Sequence, residues 1–240
     1  MELLALKDKG KDLGLDISDK MLEQFDKYAK LLIEWNSFMN LTAIDKYEDI
    51  IEKHFYDSII CASFCASDIR IADVGSGAGF PGLPLKIVRP DLSLVIVEPL
   101  NKRCKFLAKV VEELGLDNVI IENKRSEDYV KEARESFDVV TARAVANLSM
   151  LSELCIPLVK KDGIFLAMKG MDGYNEEDKA MNALNKLGVK RIAVKEANLS
   201  DGSLRINLIY QKVKNTPVAY PRNFAKIKKN PLWGDIYEGK

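Results

Sequence analysis

The first 67 residues carry apolar side chains at intervals of three or four residues, the spacing of one face of an α-helix. The clearest stripe comprises Met21, Phe25, Tyr28, Leu32, Trp35 and Met39. Ser18 and Asp19 precede it and are residue types that cap the starts of helices. A second stripe runs from about residue 47 to 64, with Asp45 placed to cap it. The pattern predicts a helical extension over residues 1–67, with its apolar face packed against the rest of the protein.

From residue 69 onward, short runs of β-branched residues alternate with helical stretches, which is typical of a parallel sheet covered by helices. The runs span residues 69–74, 93–98, 118–122, 137–142, 163–168, 189–197 and 203–212. The turn-like segment 199–203 makes the last two runs a hairpin. We therefore predict an α/β fold with a doubly wound, mostly parallel seven-stranded sheet in residues 68–213, and a tail of residues 214–240 packed on the same domain.

Charge is balanced over the whole chain but not along it. The 240 residues contain 36 Lys and Arg against 36 Asp and Glu. From residue 205 onward there are eight basic and two acidic residues, so this end carries +6 and residues 1–204 carry −6. The chain therefore has a basic C-terminal tail although its net charge is zero, and a polyanion would bind at one local patch of the protein.

Histidine and cysteine usage excludes several kinds of active site. His54 is the only histidine, and the four cysteines form no Cys-x-x-Cys pair, so the sequence predicts no metal site. A Ser-His-Asp or Cys-His centre would have to use His54 as its base. Few, irregularly spaced cysteines indicate a reducing compartment, and no apolar run approaches the roughly 18 residues of a membrane span. We expect a cytoplasmic protein without membrane contact.

Glycines alternate with other residues directly after the first predicted strand, in the segment Asp73-x-Gly75-x-Gly77-x-Gly79. Glycines let the chain turn tightly and let its backbone approach a ligand, which indicates a cofactor loop. The overlapping spacing Gly77-x-Gly79-x-x-Gly82 fits a dinucleotide such as NAD. The spacing that starts at Asp73 fits S-adenosylmethionine. A glycine-rich loop without a ligand is the third interpretation.

Glu98 ends the second predicted strand, 19 residues after Gly79, where a carboxylate can accept hydrogen bonds from ribose hydroxyls. That feature suits both cofactors. A pyrophosphate needs free N–H groups and is repelled by a carboxylate, so Pro81 and Asp73 disfavour NAD. S-adenosylmethionine has no phosphate and carries a cationic sulfonium and an amino group. An acidic, glycine-lined pocket therefore favours S-adenosylmethionine.

Seven segments, in order along nearly the whole chain, resemble one family, the RsmG or glucose-inhibited division protein B family. They are Trp35 to Ile44, His54 to Ser58, Asp73 to Gly82, Leu100 to Arg103, Arg125 to Glu127, Thr141 to Val145 and Tyr220 to Arg222. The Gly-Phe-Pro-Gly and Ala-Arg-Ala sequences within them are not general methyltransferase features. The resemblance implies a Rossmann-like methyltransferase that uses S-adenosylmethionine to methylate guanine N7 in 16S ribosomal RNA, at guanine 527 of the 530 loop.

The resemblance also implies which residues hold the cofactor, and the glycine loop and Glu98 add to them. Together the expected cofactor residues are Asp73, Gly75, Gly77, Gly79, Phe80, Glu98, Ser126, Glu127 and Arg143. Arg143 pairs either with the methionine carboxylate or with a pocket acid, and otherwise forms a structural ion pair. Phe80 stacks on a base or packs internally, and Ser126-Glu127 otherwise caps a helix. His54 and Asp57 flank the cleft or serve structure.

Guanine N7 bears no proton, so its methylation needs no general base, and we assign no single catalytic residue. The partner is 16S ribosomal RNA or the small ribosomal subunit, bound by a monomer. Candidate phosphate contacts are Lys102, Arg103, Arg222, Lys226, Lys228 and Lys229. Three alternatives stay open at this point: a methyltransferase acting on a small molecule or protein, an NAD-dependent oxidoreductase, and a ribosome-binding protein without catalysis.

Overall fold

A computed structural model describes residues 1–143 and 146–232. Part of the predicted 141–145 motif and the last eight residues, including Lys240, lie outside the described ranges. The molecule is built on one seven-stranded sheet of order β3-β2-β1-β4-β5-β7-β6. Its strands are β1 (Arg70–Val74), β2 (Ser93–Val97), β3 (Val119–Glu122), β4 (Phe137–Arg143), β5 (Val159–Lys169), β6 (Val189–Asn198) and β7 (Leu204–Lys212).

All neighbouring pairs from β3 to β5 are parallel, whereas β7 is antiparallel to both β5 and β6. The doubly wound sheet with one reversed strand is therefore confirmed, and so is the hairpin of the last two runs. β5 begins at Val159, earlier than predicted, because its first residues pair across a register shift in β4. The polar stretch 160–162 at that point is exposed and lacks the apolar alternation of a strand.

Helices cover both faces of the sheet. They are α1 (Ala5–Asp12), α2 (Asp19–Met39), α3 (Tyr47–Asp49), α4 (Asp57–Ile59), α5 (Gly82–Val88), α6 (Asn101–Leu114), α7 (Ser126–Ala133), α8 (Leu148–Cys155), α9 (Gly173–Leu187) and α10 (Phe224–Lys229). Successive strand residues point to opposite faces, so Ile71 joins a core with α2, α5 and α6, and Ala72 joins a core with α7, α8 and α9.

The N-terminal helices share the first of these cores. Phe25, Tyr28 and Leu32 of α2 are fully buried, which confirms that the apolar stripe packs inward. The Ser18 hydroxyl accepts a hydrogen bond from the Met21 N–H, as a helix cap does. Asp45 is not a cap, since the residue before α3 is Lys46 and no side chain bonds to its first turn.

The helical pattern predicted for about residues 47–64 is confirmed over 47–59 and 62–64, but it is not one regular α-helix. A π-helix, Ile50–Tyr56, separates α3 from α4, and a 3-10 turn, Ala62–Phe64, follows. The backbone N–H of Asp57 bonds to the carbonyl of Glu52, five residues back. Such wide turns occur where tertiary contacts override the regular spacing, and they are frequent at functional sites. Here the wide turn carries His54.

None of the helices in the two described ranges is long and apolar enough to cross a membrane.

Candidate active site

The glycine loop leaves β1 at the carboxyl end of the strand, the edge at which parallel sheets bind ligands. Gly75, Gly77 and Gly79 have φ values of 68°, 63° and 103°, which L-residues rarely adopt. A side chain at Gly79 would collide with Tyr28 and Leu83. A Cβ at Gly77 would meet no heavy atom of the described residues within 4 Å. Gly79 therefore allows close packing, and Gly77 faces an open space.

Asp73 lies at the base of this loop and is completely buried. One carboxylate oxygen, Oδ2, accepts hydrogen bonds from the Ser76 hydroxyl (2.5 Å) and the Gly82 N–H (2.8 Å). Burial raises the pKa of Asp73 to about 6, although these two bonds favour the charged form. The structure thus gives Asp73 a position inside the loop, and its contact with a cofactor stays a prediction.

Glu98 lies just after β2 and is 1% exposed. Its Oε2 accepts the Gly77 N–H and its Oε1 accepts the Leu100 N–H, each at 3.0 Å. Arg103 approaches the same carboxylate, with 3.7 Å between its Nη1 and Oε2. Glu98 therefore joins the open part of the glycine loop to the start of α6, and both oxygens keep a lone pair for a further donor.

The start of α7 contributes a third part of the same edge. Ser126 is the first residue of α7 and is buried, with its hydroxyl donating to the Leu154 carbonyl at 2.6 Å. The residue at the cap position is Arg125, so Ser126 does not cap the helix through its side chain. Glu127, in the same first turn, is half-buried. Their contact with a cofactor stays a prediction.

Phe80 is enclosed by a stack of side chains. The His54 ring lies parallel to it with centroids 4.2 Å apart, and the Arg143 guanidinium lies 4.9 Å from its centroid. Tyr28 covers it at 5.7 Å. Phe80 is 5% exposed, so in this structure it packs internally and its ring has no free face for a base.

Arg143 is the hub of a charged network that the sequence did not reveal. Its Nη1 donates to Asp57 Oδ2 and to the Lys53 carbonyl, both at 3.0 Å, and its Nη2 lies 3.0 Å from His54 Nδ1. The second oxygen of Asp57 lies 3.1 Å from Arg205 Nε, an ion pair outside hydrogen-bonding angles. The acid that pairs with Arg143 is therefore Asp57, 86 residues away in sequence.

His54 is neutral in this network. Burial, with the Arg143 charge as a second cause, lowers the pKa of His54 to about 3. Because a guanidinium can only donate, Nδ1 is the acceptor, and the ring proton sits on Nε2. That nitrogen lies 2.9 Å from the Thr42 hydroxyl, which accepts the proton's hydrogen bond. Both ring nitrogens are thus occupied, and His54 has none left for proton transfer.

A cavity of about 530 Å³ opens beside this network, at the carboxyl ends of β4 and β5. The charged side chains that line it are Lys53, Asp57, Arg143, Lys169, Glu176 and Arg205. The sequence did not identify Lys53, Lys169, Glu176 or Arg205 as site residues. Lys169 is the last residue of β5, and a charge at the carboxyl end of a buried parallel strand was the signal that could have found it.

The candidate RNA-binding residues separate into two groups. Lys102, Lys226, Lys228 and Lys229 are exposed, and none is in an ion pair among the residues that the structure describes. Arg103 and Arg222 instead have acidic partners within the protein. Arg103 Nη1 lies 3.7 Å from Glu98 Oε2, and Arg222 donates to the buried Glu153 through its backbone N–H, Nε and Nη2 at 2.7 to 2.8 Å.

Part of the +6 charge of the tail is also neutralised by ion pairs with acidic residues of the body. Arg205, Lys212 and Arg222 pair with Asp57, Glu135 and Glu153 of the body. The free charge of the described tail therefore lies mainly on α10. Within residues 1–143 and 146–232, no group of three or more His, Cys, Asp or Glu side chains could hold a metal ion.

Two solved structures illustrate the likeness in fold. One is M. jannaschii TYW2 in complex with AdoMet, with a TM-score of 0.52 and 15% identity over 63% of this chain and 73% of that one. Another is a mutant of the 16S rRNA (adenine(1408)-N(1))-methyltransferase from Catenulisporales acidiphilia, with a TM-score of 0.51 and 13% identity over 63% and 89%. At these identities the likeness establishes the fold.

Curated relatives are far more similar. A protein of Clostridium beijerinckii is 46% identical over 228 residues, 92% of this chain and 95% of its own length. A protein of Staphylococcus epidermidis is 45% identical over 237 residues, 97% and 99% of the two chains. Both are named ribosomal RNA small subunit methyltransferase G, and the GidB family model matches residues 21–204. The predicted resemblance is confirmed, and the chain belongs to the GidB family, rRNA small subunit methyltransferase G.

Proposed function

We propose that this protein transfers a methyl group from S-adenosylmethionine to N7 of a guanine in 16S ribosomal RNA, guanine 527 of the 530 loop being the target that the resemblance implies. The observation that carries the proposal is a cavity of about 530 Å³, ample for a base, at the same carboxyl edge of the sheet from which the glycine loop extends. Arg143 belongs to both, since it lines the cavity and lies over Phe80 of the loop. A base in the cavity would therefore adjoin the cofactor.

The residues of the loop fit S-adenosylmethionine. The open side of Gly77 leaves room for a ligand against the backbone, and the adjacent Glu98 carboxylate keeps lone pairs for two hydroxyl groups. An acidic pair, Asp73 and Glu98, suits a cationic ligand and opposes a pyrophosphate. When bound, the cofactor supplies a methyl group on a positively charged sulfur, which is already activated for transfer.

The chemistry available in the cavity matches an acceptor that needs no base. Guanine N7 presents an unshared electron pair and has no proton to lose. His54 is neutral, and both of its nitrogens are held by Arg143 and Thr42. What the chain supplies is position, since holding two reacting groups in line contributes up to roughly 7 to 11 kcal/mol.

The charge of the cavity favours RNA over a small molecule or a protein. Among the described lining residues, four are cationic and two are carboxylates. That excess attracts a phosphate backbone and repels a cationic acceptor such as an amine. The exposed lysines of α10 would extend the same attraction. Ribosomal RNA as substrate also supports a cytoplasmic location, and nothing in the proposed reaction needs more than one copy of the chain.

A chemical cleavage experiment tests the proposal. Small ribosomal subunits, or free 16S RNA, that lack the modification are incubated with the protein and with S-adenosylmethionine labelled in its methyl group. Reduction and aniline treatment cleave RNA at 7-methylguanosine, so we expect one break, whose position names the guanine. Comparing subunits with free RNA identifies which of them is the substrate.

Other outcomes of that experiment separate the alternatives. Labelled RNA without an aniline break would mean that a different atom is methylated, and labelled protein would mean a different acceptor. Binding to the subunit without any label would indicate a protein without catalysis. Calorimetry with NADH and S-adenosylmethionine addresses the dinucleotide alternative, because we expect heat only from the second.

A further inference from the structure

We propose that Glu176 is the residue that distinguishes guanine from other bases, by accepting hydrogen bonds from guanine N1–H and from the N2 amino group. This inference rests on the proposed function and names a specificity-determining residue within it. Glu176 lies in the first turn of α9 and lines the cavity beside the glycine loop.

The topology of the sheet places Glu176 on the far wall of that cavity. The glycine loop and Glu98 follow β1 and β2, whereas Lys169 ends β5 and Glu176 follows it. Two strand positions therefore separate the glycine loop from this wall. A guanine whose N7 faces the loop directs its opposite edge, with N1–H and the N2 amino group, away from it. Glu176 is the carboxylate on that side.

The Glu176 side chain is held in place through one of its two carboxylate oxygens. Its Oε2 accepts the Leu148 N–H at 2.7 Å and lies 2.8 Å from the Lys169 ammonium. Lys169 is itself 5% exposed and donates to the Ala146 carbonyl at 2.6 Å. The described residues give Oε1 no hydrogen-bond donor, and the side chain is 28% exposed. Among the described residues, Oε2 is therefore held by Leu148 and Lys169, and Oε1 has no partner in a side chain that lines the cavity.

A carboxylate oxygen in that position discriminates between bases by hydrogen-bond type. Guanine offers donors at N1 and N2. Adenine offers an acceptor at N1 and has no N2 amino group, so it would leave the carboxylate facing a lone pair. Sites built to bond a substrate N–H or O–H group reject analogues that lack it, because the buried partner is then left unpaired.

Replacing Glu176 by Gln reverses this preference with almost no change of shape. The amide oxygen of Gln would occupy the Oε2 position, since the Leu148 N–H and the Lys169 ammonium both donate there. The amide nitrogen would then replace Oε1 and face both guanine N1–H and the N2 amino group, donor against donor. E176Q therefore removes the acceptor that reads the N2 group.

The test measures both proteins, wild type and E176Q, on two target bases. RNA is assembled with guanine or inosine at the target nucleotide, and transfer of labelled methyl is measured; inosine lacks only the N2 amino group. We expect the wild-type protein to have roughly tenfold higher kcat/KM on guanine than on inosine. We expect E176Q to be slower on guanine and to treat the two bases within about twofold of each other.

Two further variants make the result specific. D178N removes an exposed carboxylate from the same helix and should keep the wild-type ratio. E176D keeps the carboxylate but shortens the side chain by one methylene. Its ratio of kcat/KM on guanine to that on inosine should lie between those of the wild-type protein and E176Q, and it serves as the test if E176Q folds poorly. Binding of the two RNAs with S-adenosylhomocysteine present should show the same ratios without any turnover.

The outcomes are distinguishable. A wild-type protein that methylates guanine and inosine RNA equally, or an E176Q protein that keeps the full wild-type ratio, overturns the role of Glu176 and leaves the proposed function intact. A wild-type protein that transfers no methyl group to guanine RNA overturns the proposed function itself.

Discussion

The two sides of the candidate site are built by different means. On the glycine-loop side, backbone N–H groups bind two carboxylates, Asp73 and Glu98, from residues at most 21 positions away in sequence. On the cavity side, charged side chains from three separate elements neutralise one another, with Asp57 of α4 between Arg143 of β4 and Arg205 of β7. The first side depends on the absence of side chains, and the second depends on matched charges. We therefore expect the loop to be sensitive to volume and the cavity wall to be sensitive to charge.

The largest effect should come from removing the shared acid of the cavity wall. Asp57→Ala leaves the Arg143 guanidinium, whose side chain is 14% exposed, without its counter-charge. Breaking a buried pair in this way costs about 3 kcal/mol of unfolding free energy, measurable by urea denaturation. Glu112→Ala, which loses an exposed pair with Lys109, is the control and should change stability by about 0.5 kcal/mol or less. An equally small loss for Asp57→Ala would show that Arg143 is supported without it.

The second effect is a pH dependence carried by His54. Its folded pKa of about 3 lies below its unfolded value, so its contribution is fully present above pH 6.5 and is lost as the pH falls below that. At pH 5 the loss is about 2 kcal/mol. Asp73, with a raised pKa of about 6, acts with opposite sign, because its folded state gains protons, and hence stability, as the pH falls from 6 to 4.

His54→Asn separates these two groups. In the wild-type protein His54 takes up a proton at pH 5 only on unfolding, whereas Asn takes up none. The unfolding free energy of the variant minus that of the wild-type protein should therefore rise by about 2 kcal/mol between pH 7.5 and pH 5. Urea titrations at the two pH values measure the difference. A constant difference between the two proteins would mean that His54 can be protonated in the folded state.

The third effect tests whether the loop side depends on volume. Gly77→Ala and Gly115→Ala both place a Cβ at positive φ with no heavy atom of the described chain within 4 Å, so each should cost about 1 kcal/mol of stability. Only Gly77 faces the proposed cofactor space. Calorimetric affinity for S-adenosylmethionine should fall at least about tenfold in Gly77→Ala and stay unchanged in Gly115→Ala. Equal affinities would place the cofactor elsewhere.

The smallest effect lies outside both sides, on α10. Lys228→Ala should weaken RNA binding severalfold and lower the slope of log affinity against log salt concentration by about one. Lys20→Ala is the matched control, since Lys20 is also exposed and lies in the first turn of α2, which packs in the other core from α10. Filter binding at several salt concentrations checks both. An unchanged slope for Lys228→Ala would remove α10 from the RNA contact.

The same contrast explains what the sequence could reveal. The strands, the hairpin and the glycine loop depend on neighbouring residues, and alternation and spacing were enough to predict them. The cavity wall joins Asp57 to Arg143 and Arg205, residues far apart in sequence whose meeting depends on the packed fold. Arg222 was expected to be free for the same reason, because its partner Glu153 lies 69 residues earlier. The π-helix that carries His54 likewise leaves no local signal.

The contact between α2 and the glycine loop has a consequence for how the molecule responds to its cofactor. The Tyr28 hydroxyl donates to the Ala78 carbonyl at 2.5 Å, and Gly79 packs against the same tyrosine. A ligand that immobilises the loop must therefore also retard local opening of α2, by thermodynamic linkage. The N-terminal extension is in this sense a reporter of occupancy, and amide hydrogen exchange in residues 19–39 should slow when S-adenosylmethionine binds, although the helix lies outside the sheet that holds the loop.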